Sequence, residues 1–361
     1  MIQKLIDEAE NAIELSLKDK TVVEGTDEPS EVARLVNALP DNLVRAWSDF
    51  VKKGAMTVSA AFCHAKPRVT WKSPLLNHPE PHEPELADLL LIIDVQGKTK
   101  RDRRALLIQV KKSKTKGKRC TLTKEGDLVQ RHMYSDWPTF DILGTWQNAI
   151  KTPPKNVSIS TPSPLKDLGT RYAVVRSIGT NHPGWSLELS TAAYSPPQPP
   201  IHSKFKSFGH VTLGTQQSLG TGLVDLYLGK IGRDCDASDD WSNLVSYLEA
   251  YVWEHTNSDD LPHVEVTAGA TPSALTSATT YLATSNFVMY SGNTHVLGSQ
   301  WMYPALFEPQ GGGAAIYRWP GLNRPSTPSE IEFRPESGFG VIRVVIDYPL
   351  DVSASEDRDQ K

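Results

Sequence analysis

The stretch that decides the fold is DLLLIIDVQGKTKRDRRALLIQVK, residues 88–111. It holds two apolar runs, Leu89–Ile93 and Ala105–Lys111, separated by a polar segment around Gly97-Lys98. Runs of five to seven residues rich in Leu, Ile and Val, bounded by a glycine and charges, read as buried β-strands. If Asp88 pairs across from Gln109, the midpoint falls between Lys98 and Thr99, inside the polar segment. An antiparallel hairpin in that register sets the start of the first strand beside the end of the second. Side chains two apart share a face, so Gln109 and Lys111 project together while Leu106, Ile108 and Val110 turn to the other side. The hairpin therefore gathers a carboxylate, an amide and a lysine at one edge.

Those residue types suit phosphate chemistry. Mg2+ or Mn2+ prefers oxygen donors. Asp88 offers an anionic oxygen, and the Gln109 side chain and the Val110 backbone carbonyl offer neutral ones. Lys111 is a compact cation able to face a scissile phosphate or its attacking water. Glu85, three residues before Asp88, is a helper carboxylate at the same strand mouth. Beyond the hairpin the chain is strongly basic. Residues 98–119 carry eleven Lys or Arg and one acid, a charge of +10 on a chain whose total is −4. Lys112, Lys114, Lys116, Lys118 and Arg119 leave the second strand directly and are expected to contact a nucleic-acid backbone with salt-sensitive affinity.

Asp88, a hairpin and Gln109-Val110-Lys111 together resemble the PD-(D/E)xK nuclease superfamily in its QxK variant. Gln130-Arg131-His132-Met133-Tyr134 matches the QxxxY motif of its RecB-like members, with Gln130 and Tyr134 on one face of a short helix expected over about 126–134. The order strand, strand, helix, strand, ending in RYAVVRS (171–177), is similar to the family core. The resemblance implies a metal-dependent nuclease acting on DNA, with RNA left open, in bacterial defence or restriction. It also implies Glu31 as a second helper acid, because family members place a glutamate on an early helix. Two departures stand out: Gln109 replaces the usual acid of the motif, and Ala87 replaces the proline before Asp88.

The expected fold is α/β, an α+β mixed sheet, with a restriction-endonuclease-like core over 28–178. An N-terminal helix (1–27) precedes it. A C-terminal, strand-rich α/β region (179–352) follows, then a polar tail (353–361). Apolar spacing predicts helices over 3–16, from Pro29 to Trp47 with a break at Pro40, and over 240–255 with Ser238 or Asp239 as cap. Strands are expected at 61–64, 68–71, 314–318 and 339–348, and loops at 74–84 and 195–201. The acidic N-terminus and the lack of a long apolar run predict neither signal peptide nor membrane span. Three cysteines without close spacing fit a reducing cytoplasm. Asp234–Asp240 lacks the glycine and terminal glutamate of a calcium loop, and Gly311–Gly313 lacks the lysine of a phosphate loop. Two other classes stay open: a catalytically silent nucleic-acid-binding module on the same scaffold, and an adaptor whose C-terminal region binds a partner protein or a second copy.

Overall fold

The computed structural model describes residues 1–20, 23, 25–51, 55–63, 67–71, 83–97, 101–113, 119–122, 125–143, 152–159, 169–175, 184–188, 211–235, 238–255, 264–268, 315–318 and 338–347. In chain order the elements are α1 (Ile2–Lys18), α2 (Glu28–Trp47), β1 (Met56–Cys63), β2 (Val69–Thr70), β3 (Leu89–Gln96), β4 (Arg101–Lys112), β5 (Arg119–Leu122), α3 (Glu125–Asp136), β6 (Asp141–Ile142), β7 (Thr170–Val175), β8 (Trp185–Glu188), β9 (Val211–Ser218), α4 (Leu219–Tyr227), β10 (Arg233–Asp234), α5 (Asp240–His255), β11 (Val264–Ala268), β12 (Ala315–Arg318) and β13 (Phe339–Ile346). The fold is mixed α/β. One sheet runs β12-β11-β1-β13-β3-β4-β7-β8-β9-β5, with β10 alongside the start of β4, and its pairings are both parallel and antiparallel.

The hairpin forms in the expected register. Gln96 faces Arg101 and Leu89 faces Ile108, and the ladder stops there, just short of Asp88 and Gln109. Helices cover the sheet on both faces, so β3 is apolar on both. Leu89, Leu91 and Ile93 join one core with α1, α2 and α4, whereas Leu90 and Ile92 join a second with α3 and α5. β4 alternates likewise: Leu106, Ile108 and Val110 face the first core, Ala105 and Leu107 the second. Burying the five residues Leu89–Ile93 contributes roughly 8–15 kcal/mol at about 1.5–3 kcal/mol each. Leaving one polar group at the strand mouth unsatisfied costs about 1–3 kcal/mol. Hydrophobic burial therefore fixes the hairpin, and the polar groups at its mouth adapt to it.

Residues 179–352, expected as a region following the core, supply β8 to β13 to the same sheet. β13 inserts between β1 and β3, antiparallel to the first and parallel to the second. Its sequence FGVIRVVI is buried throughout and is apolar on both faces save for Arg343. Gly340 is required there, since a Cβ would stand 2.6 Å from a Val36 methyl of α2. α2 itself corrects an expectation: it continues through Pro40 without a break. The proline removes one backbone hydrogen bond, but Val32, Leu35, Val36, Leu39, Leu43, Val44 and Trp47 are buried on both sides of it, and their packing outweighs that loss. Asp27 caps α2 by accepting the Ser30 N–H at 2.9 Å, and Asp239 caps α5 through the Ser242 N–H at 2.8 Å. β1 begins at Met56, five residues before the expected strand. Among the described residues no helix is long and apolar enough to cross a membrane. His64, the loop at 195–201, Gly311–Gly313 and the tail at 353–361 lie outside the described residues.

At the end of the hairpin opposite Asp88, the second core holds a buried charge cluster that the sequence did not announce. Asp94 accepts from both Arg101 and Arg343, the latter at 2.8 Å. Arg343 also donates to Glu249 at 3.1 Å, and Arg103 donates to the other oxygen of Glu249 at 2.5 Å. The cluster ties β3, β4, β13 and α5 together. Removing one member of such a set strands its partners as buried charges. Arg343→Leu should lower the unfolding free energy by about 3–5 kcal/mol, read from urea denaturation. A loss below about 1 kcal/mol, the level of a surface pair, would show that the cluster is not holding these segments.

Candidate active site at the overhang of β4

β4 outruns β3 at the site. The ladder between them ends near Leu89 and Ile108, yet β4 continues to Lys112. Asp88 is pinned at this point: its N–H donates to the Ile108 carbonyl and its own carbonyl accepts the Gly340 N–H, both at 3.0 Å. Residues two apart on a strand direct their backbone groups to the same edge. The N–H groups of Val110 and Lys112 therefore point where β3 would have continued, and carboxylates take its place. Asp88 accepts the Val110 N–H at 2.7 Å. Glu28, in the first turn of α2, accepts the Lys112 N–H at 2.7 Å. The Val110 carbonyl shares this edge and lies between the two along the strand.

α3 closes the other side of the site. Gln130 donates through Nε2 to the Glu85 carbonyl at 2.6 Å and also to Gln109 Oε1. Gln109 in turn donates through Nε2 to Asp88, so an unbroken chain runs from Gln130 to the carboxylate. Tyr134 donates its hydroxyl to the Leu86 carbonyl. Burial pushes the Tyr134 phenol well above its ordinary pKa, with the charges of Asp88 and Glu85 adding to the effect. It is therefore a neutral donor and not a base. Lys111 pairs with Asp127 at 2.7 Å. Burial disfavours the charge of Lys111, but the carboxylates of Asp88, Asp127 and Glu28 outweigh it and raise its pKa above the ordinary lysine value. Lys111 is a fixed cation.

Asp88, Gln109, Lys111, Gln130 and Tyr134 thus meet at one place. Glu85 borders it, holding the strand mouth through its backbone carbonyl and a bridge to Arg68. Glu31 sits one turn beyond Glu28 on α2, buried, with Arg34 at 3.2 Å. Burial pushes its carboxyl from 4.5 up to about 7, against the opposing pull of Arg34 and Lys112. Lys112, expected in a nucleic-acid-binding loop, ends β4 and folds its ammonium onto the carbonyl and hydroxyl of Thr26. Arg119 lies in β5, opposite Gly214 of β9. Lys114, Lys116 and Lys118 lie outside the described residues.

Two residues were missed. Asp127 precedes Gln130 by three positions, so helical periodicity alone could have added it to the face of Gln130 and Tyr134. Glu28 reads as an ordinary acid complementing a helix N-terminus, and only the packing of α2 against β4 gives it a second part. The oxygen donors available to a hard cation are the carboxylates of Asp88 and Glu28, the Val110 carbonyl and the Gln109 amide. Among the described residues no three His, Cys, Asp or Glu side chains come together as a metal-holding group, so a cation here needs the backbone and amide oxygens. Gln109 turns its nitrogen to Asp88, and ligation through its oxygen requires a half-turn of the amide. Comparison of the chain with protein-family models, with curated proteins and with solved structures found no match in any of the three.

The raised pKa of Glu31 has a measurable consequence. In the unfolded chain Glu31 ionises near 4.5, and in the folded one near 7. Between these values the folded state binds the extra proton, so this group's stabilising contribution is complete below about 4.5 and is lost as pH rises through 7. Glu31→Gln should be more stable than the native protein at pH 8, by on the order of 1–3 kcal/mol, with little difference at pH 4. Urea unfolding at the two pH values checks this, and an equal effect of the substitution at both would contradict it.

Proposed function

We propose that the chain is a metal-dependent nuclease with a restriction-endonuclease-like core of the PD-(D/E)xK kind, hydrolysing phosphodiester bonds of DNA. The observation that carries this reading is the overhang itself. Asp88, Gln109, Val110 and Lys111 meet at the mouth of one hairpin, and Gln130 and Tyr134 clamp that mouth from α3. β7, parallel to β4 and following α3 in the chain, extends the same order of elements.

The donors at the edge are all oxygens, which fits Mg2+ or Mn2+. Asp88, Glu28, the Val110 carbonyl and, after an amide turn, Gln109 would hold the ion. Such an ion supplies charge stabilisation on the phosphate and lowers the pKa of its bound water. Lys111 spends one N–H on Asp127 and keeps others for a non-bridging phosphate oxygen, where its positive charge stabilises the negative charge that grows during attack. The carboxylates of Asp88, Asp127 and Glu28 favour its protonated form. Tyr134 is likewise a donor, holding the Leu86 carbonyl and with it the backbone leading into Asp88.

A second reading has an observation of its own. The hydrogen-bond chain from Gln130 through Gln109 to Asp88 is closed without a cation, which suits a catalytically silent nucleic-acid-binding module. Incubation of the protein with supercoiled DNA, linear DNA and RNA in Mg2+ or Mn2+ separates the two. The nuclease reading expects cleavage that falls by at least about 10²-fold in Asp88→Ala and in Lys111→Ala. Binding that weakens with salt but yields no cleavage would establish the silent module, and cleavage indifferent to both substitutions would refute the site.

A further inference from the structure

Among the described residues, three polar side chains of α3 bind groups at the hairpin mouth: Asp127, Gln130 and Tyr134. Their spacing of three and then four residues lines them along one helical stripe. Each holds a different point of the mouth. Tyr134 takes the Leu86 carbonyl, Gln130 takes the Glu85 carbonyl and the Gln109 amide, and Asp127 takes the Lys111 ammonium. The stripe therefore runs along the site from the backbone before Asp88 to the far side of β4.

Lysine is the member of this set that most needs such a partner. Its ammonium ends a flexible four-carbon stem with three equivalent donors, and an unheld stem samples many rotamers. Strand packing fixes the Cα of Lys111 and the face of its stem, but not the position of the ammonium. The side chain is largely buried, at 13% exposure, and Asp127 is 20% exposed. The contact is thus partly shielded from water and spans two elements, β4 and α3, whose backbones are anchored independently. One N–H directed to Asp127 leaves the two other donors of the ammonium for a further acceptor.

We propose that Asp127 is a positioning residue: it orients the Lys111 ammonium so that its remaining donors face the phosphate of a bound nucleic acid. This rests on the nuclease reading of the site for its catalytic consequence, but the orientation itself can be read without turnover. Asp127 acts through Lys111 and does not touch the reacting atoms. Gln130 and Tyr134 by comparison hold backbone and amide groups, so they shape the mouth without steering the cation.

The test has two arms on the full chain. In the first, cleavage kinetics compare the native protein with Asp127→Asn and Asp127→Glu. The asparagine variant should lose on the order of 10–100-fold in kcat with KM and thermal midpoint close to native, and the glutamate variant should recover part of the loss. In the second, lysine-15N ammonium signals are recorded by NMR at low temperature, where only a held ammonium exchanges slowly enough with water to be seen. The Lys111 signal, assigned by its disappearance in Lys111→Met, should be present in the native protein and in Asp127→Glu and be absent in Asp127→Asn. An unchanged signal in Asp127→Asn overturns the proposal whether or not the protein cleaves nucleic acid. Unchanged kcat in Asp127→Asn also overturns it. If the native protein cleaves nothing, the nuclease reading fails and the NMR arm alone decides the part of Asp127.

Discussion

The structure depends on what happens where β4 continues and β3 does not. A strand that outruns its neighbour leaves N–H and C=O groups without a ladder, and buried backbone donors left unsatisfied are costly. Here the Val110 and Lys112 N–H groups are taken by Asp88 and Glu28. Requirements of folding alone thus bring two carboxylates to one strand edge, with a backbone carbonyl between them. Under the proposed function these oxygens would turn from backbone donors to a cation. β13 and α2 secure it from either side: the Gly340 N–H binds the Asp88 carbonyl, and the close approach of Val36 at Gly340 seats α2 over the sheet.

Gln109 gives the site its particular character. A glutamate at this position would set two carboxylates side by side, and like charges at such range oppose each other's ionisation. The amide instead donates to Asp88 and accepts from Gln130, which closes the mouth with no second negative charge. Under the proposed function Gln109 costs the site one anionic ligand, which Glu28, bound to the Lys112 N–H, would offset. Lys111 adds positive charge to the same place and is balanced by Asp88, Asp127 and Glu28.

Much of this was legible in the sequence where local pattern governs structure. The hairpin register followed from two apolar runs and a polar midpoint, and the faces of Leu106, Ile108 and Val110 followed from strand alternation. The α3 face of Gln130 and Tyr134 came from helical spacing. What escaped depended on contacts between distant segments. β13 lies about 250 residues from β3 in the chain, and a largely apolar octapeptide does not declare its neighbours. Glu28 and the Arg343–Glu249–Asp94 cluster needed the same long-range information. Pro40 reads locally as a helix break, but the buried residues on both sides of it hold α2 continuous.

Under the proposed function this strand edge holds a divalent cation through Asp88. The most direct measurement is a titration of Mn2+ followed by electron paramagnetic resonance, in which bound ion loses the sharp signal of free ion. The native chain is expected to take up a single Mn2+, and Asp88→Asn, folded and otherwise native, none. A free-ion signal undiminished by native protein at millimolar concentrations, or equal uptake by both proteins, would contradict it.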